Sequence, residues 1–142
     1  MLHMKQSRVM IKKNTTSIGN LGEDLVTKQL VADGFGIVAR NYKPKIAEID
    51  IIAIRSNNVH FVEVKSVTHE TFAAYESHVS HETYRPEELV DAKKLRKLGQ
   101  GIEIWLLETG FTGNFQLDIA VAHMIPREKW SKITMIECVS GE

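Results

Sequence analysis

The spacing of apolar positions divides the chain into segments of distinct character. From about Thr16 to Asp33, Leu21, Leu25 and Leu30, flanked by Gly22 and Val26, form a helical stripe, and Gly34 supplies a stop. Phe35 to Asn41 reads as a short strand. Glu48 to Arg55 (EIDIIAIR) is a β-branched strand, Asn57-Asn58 a tight turn, and Val59 to Val67 (VHFVEVKSV) a second strand. Residues 68 to 85 form a long polar stretch carrying His69, His78 and His81. Pro86 suits the first turn of a helix running to about Gly99, with Leu89, Ala92, Leu95 and Leu98 as its buried stripe. Ile102 to Leu107 and Phe115 to Met124 read as two more strands. After Pro126 a helical turn and then a strand from Ile133 to Val139 are expected.

Residues 1 to 15 are expected to be a flexible basic arm, and 16–142 a single domain. A chain of 142 residues can bury roughly two-thirds of its unfolded surface without staples. Helix, three-strand meander, helix, then strands predicts an α/β fold, a mixed central sheet flanked by helices. Cys138 is alone, so a disulfide framework is excluded and a reduced, cytoplasmic setting is expected. No apolar run is long enough to span a bilayer, and no membrane partner is expected.

Charge narrows the possible partners. Eighteen basic and eighteen acidic residues cancel, so any affinity for nucleic acid must come from local asymmetry. Lys5, Arg8, Lys12 and Lys13 precede the first acid, Glu23. Arg85, Lys93, Lys94, Arg96 and Lys97 cluster near and along one helix.

The hairpin carries the chemistry. With Asn57-Asn58 as its turn, Ser56 pairs with Val59 and Asp50 lies opposite Lys65, with Glu63 diagonal to Asp50. Glu48, Asp50, Glu63 and Lys65 then share one face, while Val62 and Val64 point into a core. Crowded carboxylates repel, and a hard divalent cation relieves the repulsion. Lys65 beside it could orient an attacking water or neutralise phosphate charge. A cross-strand ion pair of Asp50 and Lys65 on a wet sheet face is the plain alternative.

Asp50 followed by Glu63-Val64-Lys65 resembles the PD-(D/E)xK core of restriction-endonuclease-like proteins. Within that superfamily the chain resembles the uncharacterised YraN-type family of predicted bacterial endonucleases. The resemblance rests on GNLGEDLV, ARNYK, EIDIIA, FVEVKS, RPEELVDAKKLRKL and LDIAV, in that order between Ser17 and Val121. A more distant similarity is to archaeal Holliday junction resolvases, where a first-helix glutamate joins the strand carboxylates; Glu23 matches it. The resemblance implies Asp50, Glu63 and the Val64 carbonyl as metal ligands. Glu23 is a candidate fourth ligand, Glu48 a candidate outer acid, and Lys65 the catalytic lysine. It implies Mg²⁺ or Mn²⁺ as cofactor and DNA, branched or junction-like, as substrate. Lys94 matches the family's helix lysine and, with Lys93, Arg96 and Lys97, is a candidate phosphate contact. A homodimer is suggested by analogy with the resolvases. Ala47 stands where the family usually has Gly, and Ser66 and Val67 replace its basic residues after the lysine.

The expected activity is therefore metal-dependent hydrolysis of a DNA phosphodiester. The runners-up are a nucleic-acid-binding module of the same fold without efficient nuclease activity, and a protein-interaction domain. His69, His78 and His81 fit no zinc spacing, so a solvated or substrate-side loop is expected there. Asp118 is expected to make a strand-edge or buried hydrogen bond, and Trp105 and Trp130 to pack.

Overall fold

The computed structural model describes residues 12–80 and 86–141, so His81 and Arg85 lie outside the described residues. The first helix, α1 (Lys12–Ala32), begins before Thr16, making residues 12–15 of the expected arm helical. It ends at Gly34, whose φ of 93° lets the Gly34 and Phe35 amides return to the Val31 and Leu30 carbonyls.

Among the described residues five strands form one sheet in the order β1 (Gly36–Tyr42), β2 (Ile49–Arg55), β3 (Asn58–Thr68), β4 (Asn114–Ile125), β5 (Trp130–Gly141). Only β3 and β4 run parallel, which requires a crossover, and α2 (Phe72–Ser80), α3 (Pro86–Leu89) and α4 (Ala92–Thr109) supply it. This is the expected mixed sheet flanked by helices, consistent with a restriction-endonuclease-like fold.

The sheet separates two apolar layers. On one face Val26 and Leu30 of α1 pack on Ile51, Ala53, Val62, Ala120 and Ala122. The opposite layer joins Leu98, Ile102 and Trp105 of α4 to Ile52, Phe61, Leu117 and Ile119.

Several expectations are corrected. Ile102 to Leu107 is not a strand; it lies inside α4. Leu95, Leu98, Ile102 and Trp105 carry a helical stripe past Gly99, and burial of Leu98, Ile102 and Trp105 selects that period. Gly101 is no stop either, because a Cβ there would lie 3.1 Å from the Ala47 Cβ. The helix ends at Gly110, with φ of 71°. The helix expected over 86–99 is thus two: α3, and α4 restarted by Asp91, whose side chain accepts from the Lys94 amide. Ala92 is exposed rather than buried.

The hairpin turn is Ser56-Asn57, closed by the Arg55–Asn58 pair, not Asn57-Asn58. Tertiary pairing selects it: Asn58 is claimed by β4 through Asn114, whose amide also donates to the Asn57 carbonyl. Ser56 accepts a φ of 57° in consequence. Finally, residues 68–80 of the long polar stretch are no open loop, and 81–85 lie outside the described residues. Residues 68–80 contain α2, and His69 is buried against His123 of β4.

Candidate active site at a strand fork

β2 pairs with β3 only from Arg55–Asn58 to Ile51–Val62, whereas β3 continues beside β4 as far as Thr68. Beyond Val62, β3 therefore lacks its β2 neighbour. Asp50 fills the opening: its Oδ2 accepts the Val64 amide at 2.8 Å. A residue's N–H and C=O face the same edge of a strand, so the Val64 carbonyl also faces the fork.

Continuing the observed register by one pair sets Asp50 opposite Glu63, not Lys65. Each β2 residue has shifted its partner by two positions, and a shift of two preserves the face. Asp50 and Glu63 therefore still meet. Alternation slips beside Asp50, since Ile49 and Ile52 both join the α4-side layer while Ile51 and Ala53 join the α1-side layer. That slip lets the Asp50 carboxylate reach across to β3. Glu63 and Lys65, two apart on β3, project on the α4 side.

Glu63 is only 5% exposed. Burial, reinforced by the Asp50 charge, pushes its carboxyl up to about 7, against the opposing pull of Lys94 and Lys65. Asp50 is also raised, chiefly by burial, although the Val64 amide holds it down. Glu63 Oε2 lies 3.4 Å from Lys94 Nζ, in the first turn of α4, while Oε1 is buried with no hydrogen-bond partner.

The remaining candidates form a rim. Glu23 of α1 is raised by burial and by the charge of Asp50, so it lies within that carboxylate's field. Its Oε1 is held at 3.3 Å by Arg40 of β1, which also bonds Asp24 at 2.9 Å. Arg40 belongs to the ARNYK segment, but nothing in the spacing marked it as a neighbour of Glu23; only the pairing of Arg40 with Ile51 does. Glu48 is 3.9 Å from Lys43 and half-exposed. Lys93, Arg96 and Lys97 are exposed on α4, so of the four basic candidates Lys94 alone makes the ion pair with Glu63.

These residues suit a hard cation in part. Two carboxylates, one with a buried unpartnered oxygen, and a carbonyl facing the same fork are the donor types Mg²⁺ and Mn²⁺ accept, water completing the shell. Among the described residues no three His, Cys, Asp or Glu side chains converge into a ready cage. Glu23 is kept aside by Arg40.

Elsewhere, Asp118 makes the buried hydrogen bond expected of it, to His60 Nδ1 at 2.6 Å. Trp105 is core, and Trp130 packs edge-on against Phe72 and Tyr75. His69 Nε2 and His123 Nδ1 are 3.0 Å apart, with the rings of Tyr75 and His78 against them. His123 was not singled out in the sequence, where it is one polar residue in an apolar strand.

The uncharacterised protein family UPF0102 matches residues 22–122. The chain belongs to this family. A UPF0102 protein of Campylobacter jejuni strain 81-176 is 38% identical over 101 residues, covering 71% of this chain and 79% of that protein. One from Caldanaerobacter subterraneus is 32% identical over 102 residues, covering 72% and 75%. The UPF0102 span includes Glu23, Asp50, Glu63, Lys65 and Lys94, and excludes His123 and β5. Among the described residues of this UPF0102 protein, no helix is long and apolar enough to cross a membrane.

Proposed function

We propose that this UPF0102 protein is a metal-dependent endonuclease hydrolysing phosphodiester bonds in DNA, with branched or junction-like duplexes as the preferred substrate. The observation that carries the reading is the fork. Asp50 and Glu63 face each other where β2 leaves β3, and one buried Glu63 oxygen has no protein partner. A buried carboxylate oxygen without a hydrogen bond is costly unless something else satisfies it.

Asp50, Glu63 and the Val64 carbonyl would hold Mg²⁺ or Mn²⁺, which when bound supplies Lewis-acid stabilisation of charge developing on a phosphoryl oxygen. Asp50 is oriented by the Val64 amide, which holds its carboxylate at the fork beside Glu63. Lys65, on the face of Glu63, orients the attacking water and offsets the phosphorane's negative charge. Lys93, Arg96 and Lys97 are exposed and offer contacts to phosphates away from the scissile bond.

The test is a cleavage panel of linear, nicked, flapped and four-way DNA with Mn²⁺, Mg²⁺ or chelator. Cleavage in metal and none in chelator is expected, strongest on branched DNA. No cleavage with either metal overturns the reading, and retained DNA binding would then favour a binding module of the same fold.

A further inference from the structure

A lysine on one helix and a glutamate on the sheet hold each other where a cation would sit. Lys94 Nζ reaches Glu63 Oε2 from α4 at 3.4 Å, looser than the 2.7–2.9 Å of a tight charge-assisted hydrogen bond. The Lys94 side chain is 46% exposed and that of Glu63 6%, so one partner can leave for solvent while the other cannot. The adjacent Glu63 Oε1 is buried and unpartnered. Glu63 thus has one oxygen against a removable ammonium and its other oxygen buried beside Asp50.

We propose that Lys94 is an exchangeable counter-ion: a divalent cation entering at Asp50 and Glu63 displaces its ammonium, which then takes a phosphate oxygen of the bound strand. This inference rests on the nuclease reading and assigns Lys94 a role distinct from that of Lys93, Arg96 and Lys97. Two consequences follow from charge alone. In the free protein Lys94 competes with the cation, weakening its binding. Once the cation is bound, the released ammonium strengthens phosphate binding, so each ligand tightens the other by the same factor. Arg40 offers no equivalent exchange, because Glu23 and Asp24 hold it together. A flexible four-carbon stem with a compact ammonium head suits such a transfer better than a planar fork.

The experiment measures Mn²⁺ binding by calorimetry at pH 8.5, with and without a phosphorothioate duplex, on wild type, Lys94→Gln, Lys97→Gln and Asp50→Asn. Binding, not turnover, is read. In the wild type we expect Mn²⁺ and duplex to tighten each other at least fivefold. Lys94→Gln should bind Mn²⁺ at least fivefold more tightly than wild type when no duplex is present, and the mutual tightening should be at least twofold weaker than in wild type, the remainder coming from the cation's own attraction for phosphate. Lys97→Gln, one turn along the same helix, should keep Mn²⁺ affinity and mutual tightening within twofold of wild type. Equal effects in Lys94→Gln and Lys97→Gln, or full coupling in Lys94→Gln, overturn the exchange while leaving the nuclease reading intact. Mn²⁺ binding unchanged in Asp50→Asn overturns both.

Discussion

Asp50 Oδ2 accepts the Val64 amide at 2.8 Å, at the point where β2 ceases to pair with β3. That single bond replaces a lost ladder contact, aims the acid at Glu63 and leaves a polar opening in the sheet. The acids it gathers are a cost to the metal-free fold, which makes their removal informative.

Glu63→Gln should change the dependence of stability on pH near neutrality. The carboxyl is about 4.5 in an ordinary environment and about 7 here. A raised folded value means the stabilising contribution is complete below 4.5 and is lost as pH rises through about 7. The burial of His69 and His123 as neutral rings pulls the other way over this interval, so from pH 6.5 to 8 the Tm of wild type should fall relative to that of Glu63→Gln. Thermal melts of both proteins across it check the sign, and a wild type that gains as much as or more than Glu63→Gln from 6.5 to 8 contradicts it.

The histidine cluster acts with the opposite sign at lower pH. Burial lowers both His69 and His123 from 6.5 to about 4, assisted by the neighbouring imidazoles. The folded state prefers them neutral, so stability should decline as pH falls from 6.5 through about 4. His123→Gln should be less stable at pH 7 but lose less on acidification. Equal acid sensitivity in the two proteins would remove His123 from the account of acid lability.

Gly22 sets α1 tightly against the sheet at Ser66 and Ala122. A Cβ there would lie 2.0 Å from Ser66 Oγ and 3.2 Å from Ser66 Cβ. Gly22→Ala should destabilise by about 1–3 kcal/mol. Ser66 Oγ is buried without a partner, so Ser66→Ala alone should be neutral or stabilising, and combined with Gly22→Ala should recover part of the loss. Chemical denaturation of the three variants tests this. Strict additivity would mean the two residues do not touch.

Much of this site was legible in the sequence, for a reason particular to strands. The turn was misplaced, yet Asp50 and Glu63 stayed on one face because the partner shifted by two positions. What could not be read was set by partners distant in sequence. Asn114 draws Asn58 into the sheet and so selects the Ser56-Asn57 turn. Ile102 to Leu107 has enough β-branched and aromatic character for a strand, and only packing of Ile102 and Trp105 on the sheet makes it helical. Phe72 and Tyr75 of α2 pack on Trp130 and on the histidines rather than on an aliphatic core, so that helix lacked an apolar signature. Arg40 reaches Glu23 through the fold alone.

Asp50→Asn should respond to metal differently from the wild type, and thermal melts in Mg²⁺ against an ionic-strength control measure this most directly. A cation binding only the folded state with Kd of about 1 mM contributes roughly 1.4 kcal/mol at about 10 mM. In a domain of this size that is a rise of roughly 3 to 7 °C in Tm. Wild type should show the rise; Asp50→Asn should not, while remaining no less stable than wild type without metal, because it removes one of the crowded charges at nearly constant shape. An identical response to Mg²⁺ in both proteins, or unfolding of metal-free Asp50→Asn, would contradict a cation site at the fork and leave Asp50 as a structural cap on Val64.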